Sequence, residues 1–111
     1  MKIPGKKAPI VVFITTKDIT EAKKIAGELV KNRLAACVNI ISKVHSVYRW
    51  QGKICHDTEA LCVIKTVKGN FKALKDKVKS MHSYSVPEVI SFSIEEGSKK
   101  YLRWLVKETK R

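Results

Sequence analysis

The chain is poor in cysteine, glycine, proline and acidic side chains, and each shortage removes a class of protein. Three cysteines among 111 residues, Cys37, Cys55 and Cys62, form no Cys-x-x-Cys pair. Their odd number argues against a disulfide framework and against a thiolate zinc cluster, so a reducing, cytoplasmic setting is expected. Five glycines and three prolines are scattered through the chain without a repeat or low-complexity segment. No apolar run approaches the ~20 residues of a membrane span. Ala8 to Ile14 follows Lys2, Lys6 and Lys7 as a signal-peptide core would, but it contains Pro9 and ends in Thr15-Thr16-Lys17-Asp18, without a small-residue cleavage site. Ten Asp and Glu against 23 Lys and Arg leave a net charge of +13. That surplus attracts nucleic acid, anionic membranes or acidic small molecules without choosing among them. The length suits one domain with one core.

What is present is ordered by period. After a basic lead over residues 1–9, Ile10 to Thr15 is a nearly continuous β-branched run, as in a central strand covered on both faces. Asp18 stands three residues before Glu21, a capping-box spacing, and Ala22, Ile25, Ala26, Leu29 and Val30 recur at helical period to about Arg33. β-type residues run from Ala35 to Trp50 and again from Lys53 to Thr66, and the Gly52 punctuation makes them a long hairpin. Asn70 is placed to cap a second, basic helix with Phe71, Leu74, Val78 and Met81 on one face. Pro87 suits the start of a fourth strand, in which Ile90, Phe92 and Ile94 form the drier side. Gly97-Ser98 then opens a last helix carrying Tyr101, Leu102, Leu105 and Val106, with Trp104 beside that stripe.

The order β-α-β-β-α-β plus a C-terminal helix, with right-handed crossovers, gives an α+β, ferredoxin-like split βαβ domain over residues 10–111. Helices should cover one face of an antiparallel sheet. Strands one to three carry Val, Ile, Leu and Cys on both sides, so the second face should be an association surface.

Three segments then resemble one family. They are Arg33 to Ile40; Tyr48-Arg49-Trp50-Gln51-Gly52-Lys53-Ile54 with Glu59 and Lys65-Thr66; and His82-Ser83-Tyr84-Ser85-Val86-Pro87-Glu88-Val89-Ile90 with Gly97, Tyr101-Leu102 and Trp104. Over about residues 10 to 108 this is similar to the CutA divalent-cation-tolerance proteins. The resemblance implies a homotrimer like that of the PII signalling proteins, with hairpins crossing subunit boundaries, and a role in tolerance of copper and other divalent metals. Two departures stand out. Ser83 replaces the proline of the family's His-Pro-Tyr. Thr15 and Met81 stand where copper-binding members carry Cys and His, although Met81 is a soft donor suited to Cu(I).

Candidate chemistry follows from these residues. His82 and Glu88 bracket the loop before strand four and form a candidate site for Cu or Zn, which two protein ligands cannot close without water or a neighbouring subunit. The alternative has His82 at the helix end and Glu88 paired with a lysine across the trimer. Cys55-His56-Asp57 alternates across a strand and reads as solvated hairpin; Cys37 reads as a small buried hydrophobe. The resemblance places Cys37, Tyr48, Trp50, Lys65, Tyr84 and Trp104 at an intersubunit cleft or interface, suited to a small anionic or planar ligand or simply to packing the contact.

The function expected is a trimeric, non-enzymatic binding or signalling module for a metal ion or small anion, with no membrane partner. The alternatives are a structural or adapter trimer without a metal site, and a basic nucleic-acid-binding domain. Glu59-Ala60-Leu61-Cys62-Val63-Ile64-Lys65 lacks the sheet aromatics on which RNA-recognition domains stack bases, which counts against nucleic acid as a partner. Thr15-Thr16-Lys17-Asp18 lacks the Arg and phosphate-cradling loop of an acylphosphatase. No Ser-His-Asp set, catalytic carboxylate pair or Gly-rich nucleotide loop is recognisable.

Overall fold

The computed structural model describes Ile3 and residues 5–111; Lys2 of the basic lead lies outside them. Strand β1 (Pro9–Thr16) is followed by α1 (Ile19–Lys31), β2 (Cys37–Trp50), β3 (Lys53–Val67), α2 (Phe71–Met81), β4 (Val89–Ser93) and α3 (Lys99–Glu108). The four strands form one antiparallel sheet in the order β2-β3-β1-β4, the expected split βαβ arrangement.

Local chemistry sets the boundaries. The Asp18 side chain accepts the Glu21 amide at 2.9 Å, and Glu21 reaches back to the Lys17 amide at 3.1 Å, so the carboxylates satisfy free donors at the start of α1. The helix stops two residues before the expected Arg33. Arg33 takes a left-handed φ of 59°, and the amides of Leu34 and Ala35 both return to the Leu29 carbonyl. At the hairpin tip Gln51 and Gly52 have φ of 49° and 78°, the paired positive values that a two-residue turn needs to match strand twist. Asn70 precedes α2 but makes no side-chain cap. Its amide instead donates to the carbonyls of Arg33 at 3.1 Å and Thr109 at 3.2 Å, tying α1 and α3 to the head of α2.

One sheet face is the core. Val12, Ile14, Ala60, Cys62 and Ile64 meet Ala22, Ile25 and Leu29 of α1 and Leu74 and Val78 of α2. The Ile and Leu side chains among them are almost wholly buried, each contributing about 2–3 kcal/mol of transfer free energy. Helix α3 stands apart from this cluster. Its Leu102 and Leu105 are buried, Val106 shares a small cleft with Val67, and Tyr101 lies near Cys37, whose side chain points away from α1 and α2. Helices α1 and α2 thus cover one face, and α3 adds cover at one end of the other.

The rest of that second face is apolar and open. Phe13, Leu61 and Val63 are half-buried there, while Ile41, Ile90 and Phe92 are 47, 46 and 47% exposed. Phe92 meets Phe13 edge-on at 4.9 Å. The expected drier side of the fourth strand needs correction: Ile90 and Phe92 face outward on this open surface, Val89 packs on the core, and Ile94 falls beyond the strand. The strand also begins at Val89, two residues after Pro87.

β1 stops pairing at Thr16–Ala60. Lys53 to Glu59 therefore pairs only with β2, and the hairpin projects about 23 Å at ~3.3 Å per residue. Within it a bulge between Ile41 and Val44 lets β2 gain one residue on β3. Cys37, Asn39 and Ile41 have odd parity, and the bulge brings Val44, Ser46, Tyr48 and Trp50 onto that same side.

Candidate functional site

That phase change builds a cleft. Tyr48 and Trp50 from β2, Asp57 and Glu59 from β3, Thr15 at the end of β1, and Tyr84, Val86 and Glu88 from the loop before β4 enclose about 800 Å³. Among the described residues no Lys or Arg lines it, in a chain of net charge +13.

Two phenols hold two of the carboxylates. Tyr84 Oη donates to Glu59 Oε2 at 2.7 Å, and Tyr48 Oη donates to Asp57. Burial, then the Glu59 hydrogen bond, raises the pKa of Tyr84. The Asp57 hydrogen bond is the main cause pushing Tyr48 up to about 12. Both phenols therefore stay protonated donors at neutral pH. Burial, with the nearby charge of Glu59 second, raises the pKa of Glu88. Glu59 itself is only 7% exposed.

His82 supports the loop from behind. Its Nδ1 accepts the Tyr84 amide at 3.0 Å, which leaves Nε2 as the protonated nitrogen donating to the Thr15 carbonyl at 2.8 Å. Its ring also lies 4.7 Å from that of Tyr84. Glu21, at the head of α1, accepts the Ser83 amide at 2.9 Å and so anchors the same loop. Burial alone would raise the pKa of Glu21, but hydrogen bonds from Ser83 and Lys17 bring it below the usual value.

The structure thus brings Tyr48, Trp50, Tyr84 and Glu88 into one site and places the other candidates elsewhere. His82 has both ring nitrogens engaged, so binding a metal through either would break a bond that fixes Tyr84 or joins the loop to β1. Lys65 lies on the open sheet face against Asn39, across from Cys37, and outside the cleft. Trp104 pairs with Tyr101 on α3, ring centroids 5.5 Å apart. Met81 is half-buried and packs against the core. Cys55 and Asp57 share one side of β3 and His56 the other. Among the described residues no three His, Cys, Asp or Glu side chains are close enough to hold a metal ion.

Glu59 and Asp57 are the charged members that the sequence did not single out as site residues. The signal for Glu59 is its phase: it shares the side of Leu61, Val63 and Lys65, one residue before the strand enters the sheet.

A split βαβ sheet with one bare apolar face and a hairpin-borne cleft of phenols and carboxylates defines an α+β domain; among the described residues no helix is long and apolar enough to cross a bilayer. The profile described as CutA1 divalent ion tolerance protein matches residues 10–108, and the chain belongs to that family. It is 46% identical over 99 residues to the divalent-cation tolerance protein CutA of Thermus thermophilus, covering 89% of this chain and 96% of that one. It is 44% identical over 103 residues to protein CutA of Homo sapiens, covering 93% of this chain but only 57% of the human protein. Among solved structures, CutA1 from Oryza sativa superposes with a TM-score of 0.90 at 44% identity, covering 93% of this chain and 94% of that one. The Thermus thermophilus Cut A1 structure also gives 0.90, at 45% identity and 92 and 99% coverage.

Proposed function

We propose that this chain acts as a homotrimeric, non-enzymatic binding module in the cellular response to divalent cations, with the cleft between hairpin and β4 loop as its ligand seat. The open sheet face carries the proposal. Ile41, Ile90 and Phe92 are each nearly half exposed beside Phe13, Leu61 and Val63, an apolar patch that calls for a partner surface. A hairpin projecting past its own sheet supplies an arm for a neighbouring copy, and family membership supports the closed trimer.

A divalent ion in the cleft would draw on oxygens of Glu59 and Glu88 and complete its shell from water or a second copy, because one chain offers no closed ligand set. His82 serves this seat as a positioning residue for Tyr84. The free thiols, with Cys62 pushed up to about 11 by burial, suit a reducing cytoplasm. Carboxylates around the cleft repel phosphate, which disfavours nucleic acid there.

Light scattering after gel filtration tests the assembly. The native chain should give a trimer mass, and Phe92→Glu, which places a charge on the open face, should give monomer. A native chain that stays monomeric across micromolar concentrations would overturn the reading. Calorimetric titration with Cu(II) and Zn(II) tests the seat, and Glu88→Gln should reduce the heats.

A further inference from the structure

Glu59 is a carboxylate more than nine-tenths buried, held by one neutral donor, the Tyr84 phenol. The ion pairs among the described residues join Arg33 to Glu108, Lys72 to Asp76 and Lys77 to Glu28; none reaches Asp57, Glu59 or Glu88. Elsewhere the chain has a large excess of cations. Buried negative charge without a counter-charge is unfavourable, so the cleft is electrostatically incomplete and attracts a cation.

The shape of the space says which kind. About 800 Å³ is far more than a bare ion occupies and falls in the range of small-molecule pockets. Its walls carry Tyr48, Trp50 and Tyr84, whose ring faces attract ammonium and guanidinium groups. The exposed side chain of Val86 gives the rim an apolar surface.

We infer that the cleft takes a small organic cation, an ammonium or guanidinium group on an apolar or planar body. Its charge lies toward Glu59 and Glu88, and its body lies against Tyr48, Trp50 and Tyr84. This deepens the reading of the cleft as ligand seat and rests on it. A basic side chain from another copy has the same chemistry, and the test separates the two.

Benzylamine hydrochloride at neutral pH is the probe, titrated calorimetrically into the purified full chain in its native oligomeric state, with benzyl alcohol and benzoate as neutral and anionic analogues. Trp50 fluorescence in a Trp104→Phe background gives a second readout, since Trp104 lies on α3 outside the cleft. Saturable binding of benzylammonium is expected, about tenfold weaker for benzyl alcohol and absent for benzoate. Glu59→Gln should weaken the amine about tenfold and leave the alcohol unchanged, and Trp50→Ala should weaken both. If Glu59→Gln fails to fold, Glu88→Gln carries the same expectation.

Equal affinity for amine and alcohol, or an amine affinity indifferent to both carboxylate variants, would overturn the inference. So would the absence of amine binding to the assembled protein, the result expected if a neighbouring copy's Lys or Arg already fills the cleft. Divalent-ion titration of the same preparation keeps the two readings apart. Amine binding without divalent heats overturns the divalent-cation role of the seat alone, and divalent heats without amine binding overturn this inference alone.

Discussion

Tyr84 and Glu59 are joined by a 2.7 Å hydrogen bond that fastens the loop before β4 to the base of the hairpin. The pair joins two walls of the cleft. One partner sits on a regular strand, and the other sits on a segment held by His82 and by Glu21.

Tyr84→Phe should therefore cost more than an exposed hydrogen bond would. It leaves a buried carboxylate without its donor, worth about 1–3 kcal/mol in denaturant unfolding. The double variant with Glu59→Gln should lose less than the two singles added, because the second change removes the charge that the first strands. A strictly additive cycle would show the pair to be uncoupled.

Two glutamates anchored around the same loop should titrate in opposite directions from 4.5. Glu88 has a raised folded pKa, so its contribution to stability is fully present below its unfolded pKa and is lost as pH rises through the folded one. Glu21 has a lowered folded pKa, so its contribution is present above its unfolded pKa and is lost as pH falls through the folded one. Glu88→Gln should be more stable than the native chain at pH 7 and Glu21→Gln less stable, both differences shrinking on acidification. Side-chain carboxyl NMR titrations would show the two shifts directly, and shifts of the same sign would refute the assignment.

Asn70 holds two carbonyl oxygens with one amide group. Asn70→Ala should cost about 1–3 kcal/mol. Asn70→Asp should cost more despite its closer shape, since a carboxylate faces the Arg33 and Thr109 oxygens with no proton to offer. Thermal unfolding of the two variants tests the order, and an Asp variant as stable as the Ala variant would contradict it.

Cys62 should resist thiol reagents until the chain unfolds, because burial removes access and pushes its pKa up to about 11. Cys55, half-buried on the projecting hairpin, should label in the native state. Mass spectrometry after brief alkylation distinguishes the two sites.

The elements were legible in the sequence where a period or a cap declared them. Asp18 and Glu21 act as their spacing predicts, Gly52 sits in the hairpin turn, and the sheet order follows from right-handed crossovers. Tyr48, Trp50, Tyr84 and Glu88 converge, on a cleft lined by carboxylates and not by the cations that a small anion would need. What escaped was long-range. Asn70 reads as a cap because its partners, 37 and 39 residues away along the chain, are invisible to local spacing. Ile90 and Phe92 look like a dry face until pairing with Phe13 and Val11 shows which side of the sheet they share. His82 reads as a ligand because only the fold reveals that both ring nitrogens are already bonded.

The extra residue between Ile41 and Val44 is absorbed by the bulge, which is why Ile41 and Tyr48 share one side of the ribbon although one position is odd and the other even. Removing either Ser42 or Lys43 would straighten the strand into simple alternation and keep Tyr48 and Trp50 on the side they already occupy, opposite Cys55 and Lys53 as before. What a single deletion there would alter is the local bend and twist that the bulge gives the arm, and not the face its side chains take.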